Sequence, residues 1–382
     1  MLTLSMGERL FLIFHGRFPG EKAAGLFAAY SAWSFAGAGA RVTLVVPRRR
    51  GVSQDPYAYY DLPKTFEVRY VATLDLFGLV PNLLAFYISL AVFSISSFWY
   101  LWRAAGKGDI IYSNETLPLL LATYRYPRTV YELHDFPEGK LFFYRTLLRR
   151  AARIVATNEW KAHELEKLGV SAQKVLTEPN AVDLKRFHLS LSKEQARAEV
   201  GLPAGQKVAL YTGHLYGWKG VDTLAEAAKQ IPEITVVFVG GTLQDQAQFK
   251  EKYGSRDTIR LVAHQPHARM PLWQRAADVL VLPNSGQGLQ SREYTSPMKL
   301  FEYMASGTPV VASDLPSIRA VAGDSATYAK ADDPAALAQA LRAAVAGSPE
   351  VERKAAQALQ KVGGHTWELR AQRIIDFLHA RK

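Results

Sequence analysis

With 382 residues, 48% of them hydrophobic and 21% charged, the chain has globular composition and more length than one core usually organises, so two domains are expected. It contains no cysteine, which excludes disulfides, thiolate chemistry and cysteine-based zinc sites and is compatible with the cytoplasm. The net charge of +11 favours phosphorylated substrates or an anionic membrane surface; no nucleic acid is expected, because the basic residues are dispersed (clusters only at Arg48-Arg49-Arg50 and Arg149-Arg150) and show neither zinc-finger spacing nor an aromatic-basic repeat.

The opening run MLTLSMGERLFLIFHG is too short and wrongly flanked for a signal peptide and reads as a first buried strand, 11–15. The segment GRFPGEKAAG and a helix over 23–36 follow. Strands are then predicted at 40–46, 66–72, 109–112, 129–133, 153–156 and 174–177. Short β-rich runs alternating with helical stretches imply a parallel sheet covered on both faces. The second half repeats the plan, with strands predicted at 207–212, 234–239, 258–262, 279–282 and 309–312 and a helix over 220–229. From Asp332 onward the pattern is largely helical, broken at Gly347-Ser348-Pro349 and Gly363-Gly364. The polar, turn-rich stretch 183–206 is the expected boundary. The chain thus divides into a first domain (1–185), a second (186–364) and a C-terminal helix (365–382).

Residues 76–102 carry no charge: LFGLVPNLLAFYISLAVFSISSFWYLW. Length alone permits a membrane span, but the segment lies between two strands of one predicted sheet, which spanning would place on opposite sides of a bilayer. A long helix beginning near Pro81 is expected, either wholly core or lying on a membrane with one face exposed.

The block TSPMKLFEYMASGTPVVASDLP is the strongest chemical signal. A loop with Ser296 and Pro297 feeds a helix carrying Met298, Lys299, Phe301 and Glu302, and Gly307 ends it. N–H groups at such a helix start favour a diphosphate, Lys299 adds a mobile positive charge, and Glu302 suits ribose hydroxyls. The bland alternative is an ordinary solvated helical face. In LYTGHLYGWKG, Gly213 directly follows a strand, Lys219 stands near the next helix start, and His214 is a further phosphate donor when protonated; a plain βα turn is the alternative. Neither GxxxxGK[ST] nor GxGxxG is present there. In the first half, Gly16 opens a glycine-bearing loop suited to donor phosphates or to the acceptor. His134 and Asp135 in YELHDFPEGK lie just past a strand end, where ligands meet open parallel sheets.

These blocks resemble the retaining family 4 glycosyltransferases of the GT-B fold, over almost the whole chain. SPMKLFEYMASGTPVVASDLPSIRAV is similar to that family's donor-binding region, and GHLYGWKG to its phosphate-contacting turn. The His134 loop resembles the one that approaches the reacting sugar. NAVD at Asn180 resembles the family's NGVD, and WELRAQRIIDFL the helix that crosses back onto the first domain. The resemblance implies an α/β architecture of two Rossmann-like domains facing each other across a cleft. It implies transfer of a hexosyl-type group, with retention, from an NDP-sugar (UDP- or GDP-sugar) to a glycan or lipid-linked acceptor hydroxyl, with no metal and no further cofactor. His134, Lys219, Lys299 and Glu302 are then the catalytic candidates. Gly16, Gly213, His214, Lys219, Ser296, Pro297, Met298, Lys299, Leu300 and Glu302 are the donor-binding ones.

Two departures stand out. The family's carboxylate pair is separated by seven residues, and counting back from Glu302 reaches Tyr294, with Glu293 one step out of register. The partner of the phosphate-binding lysine, commonly arginine, is His214 here. Rival readings are a GT-B sugar-nucleotide epimerase or phosphorylase, and an inactive nucleotide-sugar-binding subunit of a transferase complex. The expected location is cytoplasmic, peripheral on the inner face of the cytoplasmic membrane. Donor base, sugar, linkage and acceptor are not written in the sequence.

Overall fold

The computed structural model describes residues 7–137, 142–254 and 258–380. Residues 138–140 of the YELHDFPEGK segment therefore lie outside the described residues. The chain forms two compact units, 1–179 with 367–382, and 180–366.

The first unit has strands β1 (Arg9–Ile13), β2 (Arg41–Pro47), β3 (Glu67–Val71), β4 (Ile110–Ser113), β5 (Thr129–Leu133), β6 (Arg153–Ala156) and β7 (Val175–Thr177). Its helices are α1 (Ala23–Gly37), α2 (Pro56–Tyr60), α3 (Asn82–Ala104), α4 (Thr116–Ala122), α5 (Phe142–Arg150) and α6 (Glu159–Lys167). All strand pairs are parallel in the order β3-β2-β1-β4-β5-β6-β7, so the order reverses between β1 and β4. The near-continuous apolar runs of β1, β2, β4 and β5 are buried on both faces, as a parallel sheet between helices requires.

The second unit has α7 (Leu184–Phe187), α8 (Lys193–Val200), β8 (Val208–Thr212), α9 (Val221–Ala228), β9 (Thr235–Val239), α10 (Leu243–Tyr253) and β10 (Ile259–Val262). It continues with α11 (Met270–Ala276), β11 (Val279–Leu282), α12 (Met298–Ala305), β12 (Val310–Ser313), α13 (Pro316–Ala322), β13 (Thr327–Ala329), α14 (Pro334–Ala346) and α15 (Pro349–Val362). Its parallel sheet runs β10-β9-β8-β11-β12-β13. The edge strand β13 has no counterpart among the predicted strands; three residues are too few to display an alternation, and its pairing with β12 supplies the structure.

The units part after Pro179, upstream of the polar stretch 183–206. β7 closes the first sheet, while Asn180 already bonds to Ser296 and Val182 bridges Thr366 within the second unit. The last helix, α16 (Trp367–His379), belongs to the first unit. It packs on α1 through Trp367, whose ring meets Phe27 at 5.3 Å and Tyr30 at 5.5 Å.

α3 is neither wholly buried nor evenly exposed. Ala85, Ser89, Phe93, Ser97 and Leu101 recur every four residues and form a narrow buried stripe. The three buried serines spend their hydroxyls locally or on His15: Ser94 donates to the Leu90 carbonyl at 2.6 Å, Ser97 to that of Ser94 at 3.0 Å, and Ser89 meets His15 Nε2 at 3.0 Å. Large apolar side chains point the other way: Leu83 is 68% exposed, Ile95 56% and Trp99 49%. By length and composition alone α3 could cross a membrane, and 28% of its most apolar window is buried in the protein.

Candidate active site

In the second unit β8 ends at Thr212 and the backbone leaves the sheet through Gly213. Its φ of +122° suits only glycine, and a Cβ there would fall 3.0 Å from Lys299 Nζ. A short 3-10 turn, Gly217–Lys219, is stopped by Gly220, whose Cβ would fall 1.7 Å from the Pro283 carbonyl oxygen. Lys219 sits on that turn with Nζ 3.6 Å from the Trp218 ring centroid.

α12 begins after Pro297. The Tyr303 hydroxyl accepts the Thr212 N–H at 2.9 Å and so pins this helix to the end of β8. One turn earlier, Lys299 reaches over the Tyr211 ring at 4.0 Å; its Nζ is buried and has no hydrogen-bond partner. Burial drives the Lys299 pKa well below the ordinary lysine value; the Lys219 charge adds to the shift and Glu302 opposes it. Burial alone lowers Lys219 to about 8. Two desolvated ammonium groups beside a glycine turn and a helix start form a site whose unmet need is negative charge.

The other predicted donor residues fall around this pair with distinct parts. The first-turn N–H groups of Met298 and Lys299 lie where an α-helix supplies no acceptor. Leu300 is different: its side chain is in the hydrophobic core and its N–H donates to the Pro297 carbonyl at 2.9 Å, so neither is offered to a ligand. Ser296 Oγ accepts the Asn180 N–H at 3.1 Å, and the Asn180 amide donates to the Ser296 carbonyl, which fixes the loop before α12. His214 stacks on Tyr216 at 5.0 Å with Nδ1 3.5 Å from Asp245 Oδ2, tying its ring to a carboxylate. Glu302 is buried and bonds His267 Nε2 at 2.8 Å through Oε1. Tyr294 is buried on a π-helical turn, and Glu293 pairs with Arg292 at 3.0 Å.

His267 had no signal in the sequence. It belongs to a 3-10 turn before α11, and only the packing of that turn against α7 and α12 brings it to Glu302; its ring meets Phe187 at 5.6 Å.

In the first unit His134 follows β5. Its Nε2 stands 3.2 Å from Glu132 Oε1, and Phe27 meets its ring edge-on at 4.5 Å. Glu132 and His134 are two residues apart at a strand end, so they leave the sheet on one face. The His134 carbonyl accepts Lys161 Nζ at 2.5 Å; Lys161, on α6, is a buried lysine lowered to about 8 by burial, which Asp135 and Glu132 oppose. The space beside Gly16 is filled by the chain's own Phe14 ring, whose Cζ is 2.2 Å from where a Cβ would be. Among the described residues no three of His, Asp and Glu gather as a metal-holding group.

The fold is shared with sucrose-phosphate synthase from Thermosynechococcus elongatus, at a TM-score of 0.76 and 19% identity over 97% of this chain and 98% of that one. Anabaena HepE in complex with UDP aligns with a TM-score of 0.73 and 17% identity over 97% and 99% of the two chains. This is the GT-B fold. In sequence, D-inositol 3-phosphate glycosyltransferase 1 of Catenulispora acidiphila is 28% identical over 310 residues, 72% of each chain. Residues 206–346 match the family profile of Glycosyl transferases group 1, and residues 24–186 that of Glycosyltransferase Family 4. With both halves matched, and with glycosyltransferases as its relatives, the chain belongs to the group 1, family 4 glycosyltransferases and is a transferase enzyme.

Proposed function

We propose that this enzyme transfers a sugar, with retention, from a UDP- or GDP-sugar to the hydroxyl of a glycan or lipid-linked acceptor. The observation that carries the donor assignment is the pair Lys219 and Lys299, with Lys299 Nζ buried and unpartnered. As the bond from the anomeric carbon to the phosphate oxygen breaks, the electron pair leaves with the diphosphate, and the two ammonium groups and the α12 N–H groups receive that charge. The acceptor oxygen forms the new bond to the anomeric carbon, and its proton passes to the departing phosphate oxygen. HepE bound to UDP or UDP-glucose supports a nucleotide-sugar donor. A screen of UDP-, GDP- and ADP-sugars for hydrolysis and transfer, with the product anomer read by NMR, tests the reading; an inverted product removes retention, and turnover of none of them removes the donor class.

Glu302 is proposed to hold the ribose or the donor sugar and not to act as base. With one oxygen engaged by His267, the other is left for a hydroxyl. Glu302→Gln is expected to weaken donor affinity about tenfold, the worth of a hydrogen bond to a charged group. An unchanged donor KM and kcat would end that assignment.

The protein is further proposed to bind the cytoplasmic face of a membrane through α3. Exposed Ile95, Trp99 and Trp102 are flanked by Arg103, stacked on Trp99 at 5.1 Å, and Arg125, 5.8 Å from Trp102. A shallow cavity of about 370 Å³ lined by Phe98, Trp99, Trp102, Lys107, Tyr124 and Arg125 continues this aromatic and basic surface. Aromatic rings seat at the headgroup level while the cations meet anionic lipid. Sedimentation with anionic vesicles at low salt should recover the protein. The variant Ile95→Ser, Trp99→Ser should bind about tenfold or more weakly, since each inserted side chain is worth roughly 1.5–3 kcal/mol. Equal binding by the variant would move the contact elsewhere.

A further inference from the structure

A second polar cluster lies at the carboxyl ends of β1 to β4, where the strand order of the first unit reverses, the usual ligand entrance of an open parallel sheet. His15 follows β1, Arg49 follows β2, Asp75 follows β3 and Glu115 follows β4. The Arg49 guanidinium is buried. Its Nη2 donates to the His15 carbonyl at 3.0 Å and lies 3.1 Å from His15 Nε2. A guanidinium only donates, so Nε2 is the acceptor and the imidazole proton sits on Nδ1. Burial, reinforced by Arg49, holds His15 at about 4, so the ring is neutral and contributes no charge.

The donors of Arg49 are not all spent. Nη1 stands 3.6 Å from Asp75 Oδ1, and Nε makes no hydrogen bond. Arg17, half-exposed, places Nη2 4.0 Å from Asp75 Oδ2, and that same oxygen accepts the Arg50 N–H at 3.0 Å. One carboxylate thus faces two guanidiniums. Glu115 accepts the His15 N–H at 3.1 Å, and burial raises its pKa. What remains is a buried guanidinium whose Nε–H has no partner and whose Nη1 faces only Asp75, beside a second arginine, a pairing of cations that suits a phosphate.

Apolar surface adjoins it. Phe77 lies 5.4 Å from the Arg49 guanidinium, and Phe86 meets His15 at 5.5 Å; both are partly exposed. Leu83, Leu84 and Tyr87 continue outward along the first turns of α3, exposed at 68%, 51% and 59%.

We propose that Arg49 and Arg17 bind the phosphate or diphosphate of the acceptor, and that the exposed start of α3 holds an apolar chain attached to that phosphate, so that the acceptor is a lipid phosphate. This rests on the transferase reading and names its acceptor class. The test is titration calorimetry on the full chain with dodecyl phosphate below its micellar concentration, inorganic phosphate and dodecyl maltoside as probes. Dodecyl phosphate is expected to bind about tenfold or more tighter than either control, and Arg17→Gln and Arg49→Gln each to weaken it about tenfold. Because Arg49 is buried, circular dichroism checks its variant, and Arg17→Gln carries the test if Arg49→Gln does not fold. Leu83→Ser should weaken dodecyl phosphate and leave inorganic phosphate unchanged. Equal affinity for inorganic phosphate overturns the lipid chain. Equal affinity for dodecyl maltoside, or wild-type binding by a folded Arg17→Gln variant, overturns the phosphate site. UDP and GDP titrated into the same samples separate the two readings: nucleotide binding without dodecyl phosphate binding sinks this proposal alone, whereas the transferase reading falls on its own donor screen.

Discussion

The double replacement Lys219→Ala, Lys299→Ala is expected to lower kcat by about 10³-fold or more while the protein stays folded. Removing one preorganised donor to a developing negative charge typically costs about 10²–10³ in rate, and here two cations leave together. The apo fold gains rather than loses. A buried lysine with a lowered pKa is a cost at any pH where it stays charged, so Lys299→Met should raise Tm at neutral pH. The sign with pH follows. Between about 8, the value of Lys219, and about 10.5, the unfolded chain holds protons that the folded chain has released, so apo stability rises with pH across that window. A bound diphosphate restores the charged form. UDP binding at pH 8.5 should therefore take up protons, seen as a binding heat that varies with the ionisation enthalpy of the buffer. Heat independent of the buffer, with wild-type turnover in the double variant, would remove both lysines from the donor site.

The second large effect is on stability. Arg370→Met is expected to destabilise the protein by about 3–5 kcal/mol, because it strands a buried carboxylate. Arg370 and Glu132 are both buried and paired. Arg370 Nε also donates to the Pro179 carbonyl at 2.9 Å, and the Tyr112 hydroxyl donates to Glu132 Oε2 at 2.6 Å. Arg370 and its neighbours outweigh burial and hold Glu132 at about 2. A lowered carboxylate contributes stability above its unfolded value, near 4.5, and that contribution is lost as pH falls toward 2. Urea unfolding at pH 7 and pH 3 should show the wild type losing more than Arg370→Met. The double variant Arg370→Met, Glu132→Met should recover part of the loss, since replacing both partners by apolar groups leaves no stranded charge. Because His134 stands against Glu132, the single variant should also lower activity; a stable Arg370→Met protein would show that Trp367, the buried Ile374 and Ile375 and the Arg373–Glu178 pair hold the last helix without it.

The α/β alternation was readable before any packing was known, because buried parallel strands must be short apolar runs and their crossover helices must be longer. The turn proposed to hold the donor was legible as well: Gly213 follows a strand directly and has a positive φ that few other residues tolerate, Lys219 stands just before the next helix, and Lys299 lies in the first turn of the helix that the Ser296–Pro297 loop feeds. Packing between distant segments was not legible. Glu132 finds Arg370, Glu302 finds His267, and Arg49 finds His15 only when the sheets close, and no periodicity records a partner from another element. α3 shows the limit most directly. Its large apolar side chains occur on every side, so the pattern does not reveal which face turns inward; the packing buries Ser89, Ser94 and Ser97 and leaves Leu83, Ile95 and Trp99 outside, because close packing on α4 and the sheet favours small side chains whose hydroxyls find partners, Ser94 and Ser97 on their own helix and Ser89 on His15.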